Sequence, residues 1–494
     1  MDFNERLHNV DGQEKKWLPS KLFLKQLFIS VGVWNMLFLG GMCMGTPTVL
    51  IPQLRRDANS TDAVDDETAS WLYSVFGTCT LPWVVITLLF TQYFGRRWPV
   101  IISVFTIFLV FLFMSLSSNA KQILVAEIME GCFLSCCLTV CVIILSEYTI
   151  PKYRGIFLCF KSSSFFWGIW IANIIGTFFH WRNIPILGMI VCFYSLTAFF
   201  WPESPHWLAS KGRFEECKAS YRWLHGCGVE SERDLAILIK RQTDYLNIRA
   251  EKRKSFYYSQ YTSKEFYKPL FLIILAVTQY HFSGKLVCSI YVLEITKKIT
   301  NNENTAYLIM LILDGVTILG IFIGCLLSRI LNRRTMYISF SAIGVVFLFL
   351  TSLYLYLVKL LIVVENNIFS IILLTCFSIA ISCGPMIMTT SVYGEVIPLK
   401  HKTSMFLVAI LLFETYNAIL LKNAPKLFKN LGFHGTFLMY GIVTGICTYL
   451  LYLYLPETKD KTLQQIEQDF EEKSRAPTPS IDETELFIAK QTNK

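Results

Sequence analysis

Long apolar runs separated by short polar segments dominate this sequence. About twelve of these runs hold about 20 mostly apolar residues each, which is enough for a helix to cross the roughly 30 Å hydrocarbon core of a bilayer. The pattern therefore predicts an all-α, polytopic membrane protein whose transmembrane helices we number as spans 1 to 12. The runs are centred near Leu37, Pro82, Phe108, Cys136, Gly168, Val191, Thr278, Leu319, Val345, Ile381, Leu411 and Ile446.

The composition agrees with a bilayer as the main solvent of the chain. Of the 494 residues, 53% are hydrophobic and 16% are charged, which is too apolar for an ordinary soluble domain. Lys and Arg in the loops account for the net charge of +9, so this charge does not indicate a nucleic-acid partner. The sequence holds no phosphate-binding glycine loop, nucleophile motif or CxxC spacing, so we predict neither an enzyme nor a bound cofactor or metal.

Basic residues predict the orientation of the spans. Lys and Arg cluster before span 1 and after spans 2, 4 and 6, whereas the first of the alternate loops is acidic between Asp57 and Glu67. Because loops rich in Lys and Arg stay in the cytoplasm, we expect both termini to be cytoplasmic. The predicted location is the plasma membrane, and the predicted state is a monomer with the lipid bilayer and a small-molecule solute as partners. The sequon at Asn59 lies in the acidic loop, where it would be glycosylated outside the cell.

Three charged motifs recur in the same order in the two halves of the chain. FGRRW after span 2 recurs as LNRRT, SEYTIPKYRG after span 4 as GEVIPLKHKT, and WPESP after span 6 as LPETK. Two six-helix halves related by a parallel repeat are typical of transporters. We therefore predict a cytoplasmic N-terminus at 1–25, bundles at 26–201 and 268–455, a cytoplasmic helical connector at 202–267, and a cytoplasmic tail at 456–494 whose distal part is disordered.

The repeated motifs bring carboxylates close to guanidinium and ammonium groups at the predicted cytoplasmic ends of the spans. Networks of this kind can hold that end closed, and they can also open, because an exposed pair contributes only about 0 to 1 kcal/mol. Anchoring by positive loops alone would explain the cations, but it would not explain carboxylates at matched places in both halves. The predicted gate comprises Gly95, Arg96, Arg97, Glu147, Arg154, Glu203, Arg333, Arg334, Glu395, Lys402 and Glu457.

The ordered set of motifs resembles the sugar porter family of the major facilitator superfamily over nearly the whole chain. Within that family, MGTPTVLIPQL, ETASWLYS and GEVIPLKHK are most similar to the insect facilitated trehalose transporters. The resemblance implies two bundles, a solute site between them, and facilitated diffusion of a sugar. Asn332, Lys402 and His206 depart from the Gly, Arg and Arg of the family pattern, which implies a looser gate.

The predicted solute site departs from the family more than the gate does. The span 7 motif whose amides hold sugar hydroxyls in the family begins here at Tyr280, and only Ser283 and Gly284 match it. Lys285 and Glu414 make the site more charged than that of a typical sugar porter. By the resemblance, the candidate solute contacts are Ser162, Asn173, Gln279, Tyr280, His281, Ser283, Lys285, Tyr291, Thr390, Glu414 and Asn417.

Charges at membrane depth are costly, so Lys285 and Glu414 require water or a partner. Because their signs are opposite, we expect an ion pair that bridges spans 7 and 11. The pair would be a structural lock or a contact for a charged solute, or His281 beside it would couple transport to protons. Glu127 and Glu130 lie about one turn apart on span 4, and one of them is a second candidate proton site.

Three functions remain open at the level of the sequence. The family resemblance favours a facilitative carrier of trehalose or a hexose. The altered solute site favours a carrier of a charged or amphipathic organic solute, with or without proton coupling. The loss of the sugar motif allows a non-transporting relative that only binds or signals, although the retained gate carboxylates argue against it.

Overall fold

The computed structural model describes residues 21–58, 64–251, 264–300, 302–364, 366–389, 402–457 and 459, most of them in helices. Eleven helical segments of this described chain are long and apolar enough to cross a membrane. They correspond to spans 1 to 4 and 6 to 12: Lys21–Asp57, Asp66–Phe94, Arg97–Leu116, Ala120–Tyr148, Asn183–Phe200, Tyr267–Ile290, Glu303–Ile330, Arg333–Lys359, Asn367–Thr389, Met405–Asn430 and Gly432–Tyr454.

The helix Pro151–Phe178 is span 5. It has 28 residues, and at 1.5 Å per residue it is about 42 Å long, which exceeds the thickness of a bilayer core. Polar side chains such as Lys161 and Asn173 interrupt its apolar sequence, and it is not among the eleven apolar segments above. It packs against span 1 of its own half and against span 8 of the other half. The predicted twelve-helix fold is confirmed.

Some predicted residues fall outside the described chain. These are residues 1–20, Asn59, Thr390, Glu395 and the tail beyond residue 459. The side chains of Arg154 and Lys402 also lie outside what the structure describes, although both residues belong to helices. The predictions for these residues, and the predicted domain boundaries, therefore stay predictions.

Span 7 is broken in its middle, and the break decides which way its polar residues face. Its two helices are Lys264–Phe282 and Lys285–Ile290. Between them Gly284 has a φ of +75°, and a Cβ at this position would lie 2.5 Å from the Tyr440 ring. Only glycine combines this backbone conformation with so little space. Lys285 therefore begins a new helix instead of continuing the first one.

The connector packs against the end of the first half that carries Gly95 and Glu147. Its described helices are Pro205–Ser210, Phe214–His225 and Val229–Glu251. The Gln26 side chain of span 1 donates a hydrogen bond of 3.1 Å to the Leu224 carbonyl. The beginning of span 1 is thereby attached to the connector.

Candidate functional site

We call the membrane side that carries Gly95, Glu203 and their counterparts in the second half the motif side, and the other the opposite side. On the motif side of the first half, Arg96 donates through Nε and Nη2 to the two oxygens of Glu147, both at 3.0 Å. This two-pronged contact requires the planar fork of an arginine. Ser204 Oγ donates to the same carboxylate at 2.5 Å. The end of span 4 is thus fixed to the start of span 3 and to the connector.

Glu203 caps the beginning of span 3. Its carboxylate accepts hydrogen bonds from the backbone N–H groups of Arg96 at 2.7 Å and Arg97 at 3.3 Å. Such N–H groups at a helix N-terminus have no partner within the helix, and a negative charge suits the positive end of the helix dipole. Gly95 makes room for the carboxylate, because it has a φ of +94° and a Cβ there would lie 2.3 Å from Glu203 Oε2.

The second half repeats this cap at span 9. Glu457 accepts hydrogen bonds from the backbone N–H groups of Arg333 and Arg334, both at 3.1 Å. Asn332 occupies the position that corresponds to Gly95, and its φ of −66° is open to any residue. The departure from glycine at this position is therefore tolerated. Glu203 and Glu457 thus cap corresponding helices of the two halves, spans 3 and 9. The repeat seen in the sequence is therefore also present in the hydrogen bonds.

These caps, and the pair of Arg96 with Glu147, each join groups of the same half. They make the motif side of each bundle rigid, and they do not bridge the two bundles. The sequence predicted the participating residues but did not reveal that Glu203 and Glu457 bind backbone N–H groups. A carboxylate after the sixth span of each half, matched to an Arg-Arg pair after the second span of that half, was the available signal.

Spans 5 and 8 form one contact between the halves. Trp170 Nε1 donates to the Leu311 carbonyl at 3.0 Å, and one turn later Asn173 Nδ2 donates to Asp314 Oδ2 at 2.7 Å. Asn173 and Asp314 are both buried. These two hydrogen bonds must break whenever spans 5 and 8 move apart.

Spans 2 and 11 form a second contact between the halves, centred on Gly77. A Cβ at Gly77 would lie 3.5 Å from Glu414 Oε2, 3.5 Å from Asn417 Nδ2 and 3.7 Å from the Ala418 Cβ. Asn417 Nδ2 donates to Glu414 Oε2 at 3.3 Å, and both side chains are buried. The small residue in span 2 thus lets a carboxyl and an amide of the second half lie directly against the first half.

Aromatic and cationic contacts join the halves toward the opposite side. The rings of Tyr73 and Tyr291 have centroids 4.4 Å apart. Lys422 Nζ lies 3.7 Å above the Trp71 ring and donates to Ser70 Oγ at 2.7 Å. An ammonium over a Trp face is attracted by the ring quadrupole. These contacts hold the bundles together at this end of the interface.

Lys285 does not pair with Glu414, so the expected ion pair is wrong for this structure. Lys285 Nζ donates to Thr317 Oγ1 at 2.7 Å and to Ser378 Oγ at 2.8 Å, so it faces spans 8 and 10 of its own half. Glu414 instead faces span 2. The break at Gly284 is the physical reason, because Lys285 starts a separate short helix.

A cavity of about 20 Å³ adjoins Lys285, with room for about one water molecule. The polar part of its lining is Lys285, Ser289, Asp314 and Ser378. Asp314 is the carboxylate that shares the cavity with the Lys285 ammonium, and the sequence reasoning missed it. An acid in the middle of the apolar run LIMLILDGVTILG was the available signal, since such residues in a span mark functional positions.

Gln279, another candidate solute contact, lies within the second half. Its Nε2 donates to Ser341 Oγ at 2.6 Å and to Thr448 Oγ1 at 3.0 Å, between spans 9 and 12. The buried His281 ring packs against Phe413, with centroids 4.3 Å apart. Gln279 therefore contributes to the packing of the second half in this conformation, and it does not face the first half.

The remaining candidate solute contacts lie either at the interface between the halves or within one half. Tyr280 packs on Phe413 with centroids 5.1 Å apart, and Ser283 Oγ donates to the Tyr280 carbonyl at 2.7 Å. Ser162 is half-buried on span 5. The candidates that the structure brings to the interface between the halves are Asn173, Tyr291, Glu414 and Asn417.

Comparison with known proteins identifies relatives along nearly the whole chain. The profile of the family described as "Sugar (and other) transporter" matches residues 26–470. The facilitated trehalose transporter Tret1 of Apis mellifera ligustica is 23% identical, over 95% of this chain and 92% of its own length. Tret1 of Bombyx mori is 22% identical, over 94% and 91%. Tret1 of Drosophila grimshawi is 24% identical over 87% of this chain. The match covers only 46% of the length of that relative.

Solved structures share the fold. The proton:xylose symporter XylE bound to 6-bromo-6-deoxy-D-glucose has a TM-score of 0.73 and 15% identity, covering 91% of this chain and 99% of that one. The inward open conformation of XylE from E. coli has a TM-score of 0.70 and 14% identity, covering 90% and 99%. At these identities the likeness shows the fold alone, which is that of the major facilitator superfamily.

Proposed function

Because the chain belongs to the Sugar (and other) transporter family, we propose that it is a facilitative carrier that moves a sugar across the membrane by alternating access. The observation that carries the proposal is the match to this family over residues 26–470. The fold supports it, because the two halves meet along an interface of helix pairs in the way such carriers require.

Alternating access needs rigid halves and an interface that can open. The caps at Glu203 and Glu457 support the first requirement, since each stabilises one bundle on the motif side. The hydrogen bond between Asn173 and Asp314 supports the second, because a single polar contact of this kind contributes only about 0.5 to 3 kcal/mol. The carrier would exchange these contacts for contacts to solute and water when it opens.

The proposed solute is trehalose or a hexose. Relatives named as facilitated trehalose transporters suggest the disaccharide. Sugar hydroxyls need side chains that donate and accept hydrogen bonds, together with an aromatic face for the apolar side of the ring. Asn173, Glu414 and Asn417 offer such groups at the interface, and Tyr291 offers the ring.

We assign the motif side to the cytoplasm and the opposite side to the exterior of the plasma membrane. The basic residues of the predicted cytoplasmic loops support this orientation. It would leave Asn59 on the outside, where glycosylation takes place. The carrier would act as a monomer, since one chain supplies both bundles.

Uptake into oocytes tests the proposed function. Oocytes that express the chain should take up radiolabelled trehalose or glucose faster than water-injected oocytes, and the uptake should saturate. Unlabelled sugar on the far side should accelerate the exchange. In cells that are not preloaded, the labelled sugar should not rise above its equilibrium level, because no energy source is coupled. Accumulation above equilibrium would contradict the facilitative mechanism.

A second candidate is a carrier of a charged or amphipathic organic solute. It is favoured by the buried carboxyls Asp314 and Glu414 at the interface and by the Lys285 ammonium close to it. A panel of radiolabelled organic cations and anions in the same oocytes separates the two candidates. Ion uptake with sugar uptake at the level of the water control would replace the sugar proposal. A surface-expressed chain that moves no solute would indicate a non-transporting relative.

A further inference from the structure

Two carboxyls lie side by side in the interior of the first half. Glu127 and Glu130 of span 4 are 0% and 2% exposed. Both oxygens of Glu127, and Oε1 of Glu130, have no hydrogen-bond partner among the described residues. The two glutamates are three residues apart on one helix, so their side chains lie on the same face of it. Neither belongs to the gate motifs or to the contacts between the halves described above.

The surroundings of this pair supply no cation among the described residues. Span 1 contributes Gly40, Cys43 and Met44 to a cavity of about 10 Å³ into which Glu130 faces, and span 2 contributes Phe76. The volume is close to the minimum for one water molecule. The titratable groups of the packed elements that lie nearest to the pair are thiols, namely Cys43 on span 1, Cys79 on span 2 and Cys192 on span 6. Lys161 of span 5 lies beside Cys137 and Cys141 of span 4 instead.

Two carboxylates that are buried together without a cation would each lack compensation for their lost hydration, and they would repel each other. The pair therefore holds at least one proton while it is buried. We infer that Glu127 and Glu130 form a proton-binding site whose occupancy sets the rate at which the two halves of the carrier interconvert. The effect on transport rests on the proposed carrier function, whereas the binding of the proton does not.

The pair is linked to the interface through span 2. Phe76 lines its cavity, and the next residue, Gly77, lies against span 11 of the other half. Spans 2 and 4 are in backbone contact beside the pair, because a Cβ at Gly131 would lie 2.8 Å from the Cys79 backbone. A movement at the interface therefore displaces the wall of the cavity.

The proton leaves when this wall moves and water enters. The O–H bond of the protonated carboxyl breaks, water accepts the proton, and a hydrated carboxylate remains. Closure of the halves returns the carboxylate to a dry site, so it must first regain its proton. Closure becomes slower as the pH rises because fewer protons are available, and transport slows with it.

The exchange of radiolabelled trehalose at equilibrium in proteoliposomes, with the same pH on both sides, measures this effect. The wild-type rate should fall several-fold from mildly acidic to mildly alkaline pH. The variants Glu127→Gln, Glu130→Gln and the double variant should lose most of this dependence, because an amide of the same shape does not titrate. Glu67→Gln, at an exposed carboxylate, is the matched control and should follow the wild type. A double variant with the wild-type pH profile would overturn the inference.

Infrared difference spectroscopy of the purified chain in detergent tests proton binding without transport. Raising the pH should remove carboxylic C=O intensity in the wild type and in Glu67→Gln, and the loss should be smaller in the double variant, in which Asp314 and Glu414 are the remaining buried carboxyls of the spans described above. An identical change in the double variant would show that the pair does not titrate, even if sugar exchange is normal. The expected change together with no exchange of either trehalose or glucose would keep the proton site and refute the proposed sugar transport.

Discussion

At the scale of single residues, Gly95 is needed for two reasons: its backbone conformation, and the space that its missing Cβ leaves. Its φ is +94°, and its missing Cβ leaves the space that the Glu203 carboxylate occupies. Because its φ of +94° and ψ of −170° are accessible essentially only to glycine, we expect Gly95→Ala to lower the free energy of unfolding by about 1 to 3 kcal/mol for the backbone alone, with a further loss because the cap is displaced. Gly226→Ala is the matched control, since Gly226 has a similar φ of +79° and ψ of −173°, and a Cβ there would meet the Leu22 side chain at 3.1 Å and no carboxylate. Thermal unfolding in detergent measures both, and equal losses would contradict the role of the carboxylate.

Lys285 and Asp314 form the second residue-scale case. Both are buried and share a cavity, so removing the ammonium leaves the carboxylate less compensated. Lys285→Met should therefore destabilise the protein more in the wild type than in an Asp314→Asn background, with a coupling of about 0.5 to 3 kcal/mol. A double-mutant cycle of unfolding free energies measures this coupling. Additive effects would show that the two groups do not interact.

The sequence predicted that Lys285 needs a partner but identified the wrong one. The cost of a buried charge can be read from hydropathy, whereas the direction of a side chain depends on the local backbone. Here the conformation of Gly284 turns the following helix, so that Lys285 meets Thr317 and Ser378. A periodicity argument that continues one helix through the break cannot find these contacts.

At the scale of helices, the two carboxylate caps should behave alike. Glu203 and Glu457 each accept hydrogen bonds from two backbone N–H groups of the helix they cap. Glu203→Ala and Glu457→Ala should each cost about 0.5 to 2 kcal/mol of unfolding free energy. Their effects should add within about 0.5 kcal/mol in the double variant, because they are in separate halves.

Hydrogen exchange provides the local readout for the caps. Glu203→Ala should speed exchange in the first turn of span 3 and leave span 9 unchanged, and Glu457→Ala should do the reverse. Slow exchange at both helix ends in both variants would mean that the carboxylates are not the groups that satisfy these N–H donors.

The existence of the twelve helices was predictable because each must be apolar over the thickness of a bilayer. Span 5 is the marginal case, because Lys161 and Asn173 interrupt its apolar sequence and only its length of 28 residues identifies it. The caps were not predictable in detail. An ion pair and a backbone cap use the same carboxylate, so the motif alone does not distinguish them.

At the scale of the whole molecule, the halves were predictable from the repeat, and the interface between them was not. Gly77 and Ala418 appear in the sequence as ordinary small residues of apolar helices. Their importance follows from the approach of span 2 to span 11, which depends on how the two bundles pack against each other. Long-range packing of this kind leaves no periodic signal within one segment.

This approach permits a direct test of the proposed movement. A Cβ at Gly77 would lie 3.7 Å from the Ala418 Cβ, which matches the mean separation of about 3.8 Å in disulfides. Gly77→Cys with Ala418→Cys should therefore form a disulfide across the halves under a mild oxidant. Transport should stop on oxidation and recover on reduction, because a carrier whose halves cannot separate cannot open at this contact. Each single cysteine variant, treated identically, controls for the native thiols. Full transport by the oxidised, cross-linked double variant would exclude separation of spans 2 and 11 from the transport cycle.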